Sequence, residues 1–140
     1  MCVLDQSSGR IVLSDTCSLW ANMPRKTLRA RLEEFTGKAC FADNQERATL
    51  LTTAAFSFWG GQAACLCTLR KGRLHTVQLH CIGGTAKEQR ARLLGFLGVQ
   101  DPCGEAMQSV LMRRPFGAAW IAADTRSGDM TLRITFTVKE

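Results

Sequence analysis

Residues 62–82 read QAACLCTLRKGRLHTVQLHCI. Two runs of strand-forming residues flank Lys71-Gly72, which has the length and chemistry of a two-residue hairpin turn. With so tight a turn, Arg70 faces Arg73, Leu66 faces Val77 and Ala64 faces Leu79. Alternation along both strands then gathers Ala64, Leu66, Val77, Leu79 and Cys81 on one face, the expected core face.

The chain on either side extends this hairpin into a sheet. Thr49 to Phe58 reads as a preceding strand, joined through a Gly60-Gly61 turn. After Ile82, Thr85-Ala86-Lys87-Glu88 has the pattern of a capping box, so a helix starts there. Leu93, Leu94 and Leu97 form its apolar side and Gly98 closes it. Gly95 inside that helix costs about 1 kcal/mol relative to Ala, which points to close packing.

Towards the N-terminus, Pro24 suits the first position of a helix in which Leu28, Leu32 and Phe35 recur at helical spacing and Gly37 ends the run. Val3-Leu4 and Arg10 to Leu13 flank a turn at Gln6-Ser7-Ser8-Gly9 and read as an opening hairpin. Towards the C-terminus, Ala118 to Ala123 is apolar on both faces and reads as a central strand, with Trp120 in the core. Asp124 to Asp129 is a turn. Met130, Leu132, Ile134, Phe136 and Val138 alternate with Thr131, Arg133, Thr135, Thr137 and Lys139, the pattern of a half-buried strand. Residues 99–115 are ambiguous: Pro102 and Gly104 suggest a loop, and Glu105 to Met112 suits a helical turn or a strand.

The expected fold class is α+β: an antiparallel sheet of about five to seven strands with two helices packed on one face, in a single domain spanning residues 1–140. Hydrophobic residues make up 46% of the 140, enough for a core without disulfide or metal staples. The seven cysteines are odd in number and unevenly spaced, a poor disulfide framework and a sign of a reducing interior. No secretory leader or apolar stretch of about 20 residues is visible, so a cytoplasmic location without membrane insertion is expected.

Catalytic signatures are scarce. The sequence has no phosphate-binding glycine loop, no nucleophile elbow and no zinc-protease helix. It has two histidines, His75 and His80. In the register above, Cys65 and Cys67 share a strand face opposite Gln78 and Thr76, with His80 diagonally near Cys65. A Cys-Cys-His metal site is conceivable there, but a fourth ligand is missing, and free cysteines in strands serve as small apolar fillers. No catalytic residue, metal or cofactor is expected, so the chain reads as a non-enzyme.

Binding is the remaining route to function. The net charge is +6, spread over short groups: Arg25, Lys26, Arg29 and Arg31; Arg70, Lys71 and Arg73; Lys87, Arg90 and Arg92; Arg113 and Arg114. The first helix is basic at its start and acidic at its end, with Glu33 and Glu34. The helix dipole disfavours that layout by about 0.3–1 kcal/mol per exposed charge. Trp20 and Trp59 lie near element ends, and Arg113, Arg114 and Phe116 sit beside a loop. Trp and Arg are the usual anchors of interfaces. The candidate partner-binding residues are therefore Trp20, Arg25, Lys26, Arg29, Trp59, Arg113, Arg114 and Phe116.

Four patterns carry a resemblance: Asp5-x-x-Ser8-Gly9-Arg10-Ile11-x-Leu13, Leu19-Trp20-x-x-Met23, Gly72-Arg73-Leu74-x-x-Val77-x-Leu79, and Pro115-Phe116-Gly117-x-x-Trp120-x-x-x-Asp124-x-Arg126-Ser127-Gly128. Together they resemble a group of small proteobacterial α+β proteins without assigned activity, similar in setting and architecture to immunity proteins. The segment from Val99 to Arg114 has no counterpart in that pattern. The resemblance implies a non-catalytic inhibitor that binds and neutralises a bacterial toxin acting in the cytosol. The positive charge favours a toxin with an acidic surface over a basic nuclease. The alternative is a module that binds nucleic acid or another anionic ligand through the basic groups.

Overall fold

The computed structural model describes residues 2–101, 109–124 and 126–137. Eleven strands and two helices run in the order β1 (Val3–Leu4), β2 (Ile11–Ser14), β3 (Cys17–Leu19), α1 (Arg25–Thr36), β4 (Phe41–Asn44), β5 (Thr49–Thr52), β6 (Phe56–Phe58), β7 (Gly61–Arg70), β8 (Arg73–Ile82), α2 (Ala86–Leu97), β9 (Val110–Arg114), β10 (Gly117–Ala123) and β11 (Met130–Phe136). The fold is α+β with antiparallel pairing throughout. The strands divide into a three-stranded sheet, β1-β2-β3, and an eight-stranded sheet ordered β4-β5-β7-β8-β11-β10-β9, with β6 also on β7.

The strand total exceeds the expected five to seven for local reasons. The stretch Thr49 to Phe58 is not one strand. It pairs with β7 as two pieces: β5 opposite Leu66 to Leu69, and β6 opposite Gly61 to Ala63. Between them the Thr53 hydroxyl accepts the Cys65 amide and the Thr53 amide donates to the Cys65 carbonyl, so the chain stays tied to β7 while it bends. The short strands β3 and β4 also add to the expected set, as does β9, in the segment whose sequence is ambiguous. The covering layer differs too. It is built from two helices and the small sheet: α1 lies against β3 and β8, and α2 against β1, β10 and β11.

The central hairpin corrects the expected register. Lys71 and Gly72 both have positive φ, 53° and 74°, as a two-residue turn between right-twisted strands requires. Arg70 pairs with Arg73 and Leu69 with Leu74, but Thr68 pairs with Thr76, so His75 is an extra residue in β8. Beyond this bulge Cys65 faces Leu79 and Cys67 faces Val77. The one-residue slip reverses the expected faces of β7. Ala63, Cys65, Cys67 and Leu69 are buried, and Ala64 and Leu66 look outward.

With that register the core is a set of rows crossing the sheet. One runs Leu51, Cys67, Val77, Ile134, Ala119, Met112, and the next runs Cys65, Leu79, Leu132, Ile121, Val110. All are buried. Leu28 and Leu32 of α1 and Leu93, Phe96 and Leu97 of α2 pack onto this side with Ile11, Leu13 and Leu19 of the small sheet.

Both helix ends follow from local chemistry. Pro24 is the N-cap of α1, one position before its expected place, and Gly37 closes the helix in the left-handed conformation. At α2 the Thr85–Glu88 capping box is formed on both sides. Gly95 lies under the Trp59 ring: a Cβ there would stand 3.0 Å from it. Gln89 is a buried amide that ties three elements together. Its Nε2 donates to the Gly83 carbonyl (3.0 Å) and to Asp129 Oδ1 (2.9 Å), and its Oε1 accepts the Met130 amide (2.7 Å).

Some expected features, namely Pro102, Cys103, Gly104, the start of a turn or strand at Glu105, and the final alternating pair Val138 and Lys139, lie outside the described residues. No helix among the described residues is long and apolar enough to cross a membrane.

Candidate functional site

One face of the eight-stranded sheet is covered by α1, α2 and the small sheet. The other carries the outward residues of the same strands. Pairing defines a row across it: Phe41, Thr52, Leu66, Gln78, Arg133, Trp120, Leu111, one residue from each of seven strands. Flanking rows hold Leu50, Thr68, Thr76, Thr135, Ala118 and, on the other side, Ala64, His80, Thr131, Ala122. Apart from Thr76, every one of these side chains is half-buried or exposed.

Apolar surface concentrates on this face. Phe41 is 71% exposed, Leu111 55%, Trp120 43% and Ile82 41%; among the described residues only Val3, of the large exposed hydrophobics, lies elsewhere. Charge is sparse, with Arg133 near the centre, Asp124 beside it, and Asp43 and Arg113 at the two edge strands. Beside Trp120 the face dips into a hollow of about 210 Å³ lined by Gln78, His80, Ala122, Asp124, Thr131 and Arg133. There His80 Nδ1 lies 3.2 Å from the Thr131 hydroxyl. Burial lowers the His80 pKa, Asp124 opposes the shift and Arg133 adds to it. His80 is therefore a neutral imidazole at pH 7, able to donate and accept.

Trp120 is thus not the core residue expected from its apolar strand. The strand is not central either: it is paired on both sides but lies next to the edge strand β9, and alternation turns Ala119 and Ile121 inward and Trp120 outward. The expected partner anchors fare unevenly. Phe116 is 1% exposed, packed on Gly9 and edge-on to Phe136 at 6.4 Å, so it is a core residue and not a surface anchor. The Trp59 indole N–H donates to the Cys2 carbonyl (2.9 Å) while its ring covers Gly95, which commits that side chain to the fold. Trp20 is half-buried, with the Arg10 and Arg31 guanidiniums each 5.2 Å from its ring centroid. Arg29 pairs with Glu33 (3.3 Å), and the same Glu33 oxygen accepts the Cys40 amide (2.8 Å). That bond gives the acidic end of α1 a structural reason: Glu33 ties the helix to the following chain. Arg90, expected on a basic surface, is buried against Asp101 through two 2.8 Å bonds.

Arg25 and Lys26 lie at the same end of the sheet as Arg113 and Arg114, separated from them by several strands. The Arg25 amide donates to the Gly72 carbonyl and Pro24 bridges to Arg73, so the start of α1 rests on the Lys71-Gly72 turn. The pairings of Thr135 with Thr76 and of Gly117 with both Phe136 and Arg114 put the β9–β10 turn at the same end.

The buried face offers no reactive centre among the described residues. Six cysteines are buried and free. Cys65 and Cys67 stand 3.6 Å apart, and that hydrogen bond, reinforced by burial, raises the Cys67 pKa. Burial pushes Cys17 and Cys81 each up to about 11. His80 sits on the opposite face of the sheet, one row from where the expected register set it, so it does not join Cys65 and Cys67. No group of three or more metal-binding side chains converges among the described residues. No protein-family model, curated protein or solved structure matches the chain.

Proposed function

We propose that this chain is a non-catalytic protein-binding module of immunity type, and that the open face of the large sheet is its binding surface. The partner is a protein toxin acting in the cytosol, with an apolar contact centre and an acidic surround. The supporting observation is the seven-strand row from Phe41 to Leu111. Six steps between strands of about 4.8 Å make it roughly 29 Å wide, the scale of a standard interface of about 800 Å² per partner. Its composition suits that role. Interface centres are poor in charge and rich in aromatic residues and arginine, with hot spots in Trp and Arg. Here Trp120 and Arg133 are cross-strand neighbours beside a hollow. The central Arg133 and the net charge of +6 favour an acidic partner surface.

The test is protection in cells. Each gene beside this one in its genome is expressed in a bacterial host, alone and with this chain. One neighbour is expected to arrest growth alone and not in co-expression. Trp120→Arg and Arg133→Glu are expected to lose protection while melting like the parent. If neither neighbour is toxic, or if both variants protect fully, the reading fails.

A further inference from the structure

The end of the sheet that carries the β7–β8 turn is a basic rim. Arg70 and Arg73 face each other across that turn, with Lys71 at its tip. Arg25 is fastened to the turn through its amide, and Lys26 follows it at the start of α1. Arg47, on the adjacent β4–β5 turn, shares a hollow of about 500 Å³ with Arg70 and Lys71. Glu46 is the one carboxylate lining it. None of these six cations enters a salt bridge among the described residues. The first turn of α1 contains no acidic residue, so its positive end adds to the same field. Arg113 and Arg114 extend the basic end of the sheet to β9, three strands beyond β8.

From this geometry we infer a second binding surface, a rim that takes the phosphate backbone of a nucleic acid without reading its bases. Two features separate this occupant from an acidic protein. Among the described residues the rim has no exposed large hydrophobic side chain: those on the sheet lie on the open face, and Phe116 beside the rim is buried. A protein contact needs an apolar centre, whereas a backbone of phosphates does not. Four of the six cations are arginines, whose planar fork matches phosphate oxygens in pairs. The rim also lacks a free aromatic platform, since Trp20 is occupied by Arg10 and Arg31, so base stacking contributes nothing and affinity is sequence-independent. It also gives the inverted charge layout of α1 a use: the basic first turn faces a ligand. The rim stands independently of whatever occupies the open face.

The experiment is fluorescence anisotropy of the full chain with a labelled 20-bp duplex, as DNA and as RNA, from 50 to 200 mM salt. About five phosphate contacts predict a slope of log K against log salt near −4.5, a loss of about 500-fold over that range. Arg70→Glu/Arg73→Glu is expected to abolish binding at 50 mM salt. Lys26→Glu/Lys71→Glu, at exposed positions, is expected to do the same and serves if the first variant unfolds. Lys87→Glu/Arg126→Glu changes net charge equally at sites away from the rim and is expected to bind like the parent. Absence of binding at 50 mM salt, equal losses in the Lys87/Arg126 control, or poly-glutamate competing as well as the duplex would each overturn the inference.

Discussion

Replacing Gln89 with Leu removes three hydrogen bonds at one buried point. The side chain holds the Gly83 carbonyl, the Asp129 carboxylate and the Met130 amide, and so joins α2 to the turn before it and to the start of β11. Leu fills similar volume but satisfies none of these groups. Three bonds at about 1 kcal/mol each, plus about 1–3 kcal/mol for an orphaned buried amide, come to roughly 4–6 kcal/mol. Against a total stability of about 5–15 kcal/mol, that is a large fraction. Thermal melts followed by circular dichroism should fall by about 14–20 °C at this chain length, with a lower urea midpoint and an unchanged urea slope.

Gln89→Glu separates the contacts. It keeps an acceptor for the Met130 amide but sets a carboxylate against Asp129. Like charges raise a carboxyl pKa in the folded state, so the folded state holds the proton more tightly than the unfolded chain. The deficit relative to the parent is then small below the ordinary Glu value of about 4.3 and grows as pH rises through the raised folded value. A Gln89→Leu melt within about 3 °C of the parent, or a Gln89→Glu deficit independent of pH, would refute the role given to this amide.

Three further outcomes are expected. Burial lowers the His80 pKa, so the unfolded chain takes up a proton first as pH falls; stability present above about 6.5 is lost as pH falls below it. His80→Gln should flatten that acid-side loss, and an NMR titration should find the His80 midpoint below the ordinary value. Gly117 has φ 146°, and a Cβ there would lie 2.0 Å from the Thr135 carbonyl oxygen; Gly117→Ala should cost roughly 3 kcal/mol or more in urea unfolding, and a near-parental midpoint would mean the strand relaxes around it. The six buried thiols should resist a disulfide-exchange reagent at pH 8 and react only as the chain unfolds; a fast phase assigned to any of them by mass spectrometry would contradict their packing.

Local chemistry made much of the fold legible. The capping box at Thr85, the glycine stop at Gly37, the Lys71-Gly72 turn and the alternation from Met130 to Phe136 each state their structure within a few residues. The register of β7 did not, because the bulge at His75 arises from the fit of two strands and has no signature of its own. A signal was nonetheless present: Gln62, Thr68 and Arg70 share a parity, and three polar residues on one side of β7 mark it as the outward side. The binding face was harder. Phe41 and Leu111 acquire meaning only when β4 and β9 become the two edges of one sheet, a long-range arrangement. Trp120 misled because its strand neighbours are all apolar, so alternation leaves no mark in the sequence. The rim was half legible: the basic groups are plain in the sequence, but only the Arg25–Gly72 and Gly117–Phe136 contacts bring them to one end.

The bulge at His75 also limits how this chain can change length. A strand assigns inside and outside by parity, so deleting one residue between Thr68 and Thr76 would put β7 out of phase with β8 while leaving its pairing with β5 and β6 unchanged. Either Cys65 and Cys67 would point to water with Leu66 in the core, or Val77 and Leu79 would be turned out. Two such changes together would cancel. Insertions and deletions in this hairpin are therefore tolerated in pairs, and homologous chains that differ here by an odd number should carry a compensating irregularity elsewhere in the same two strands.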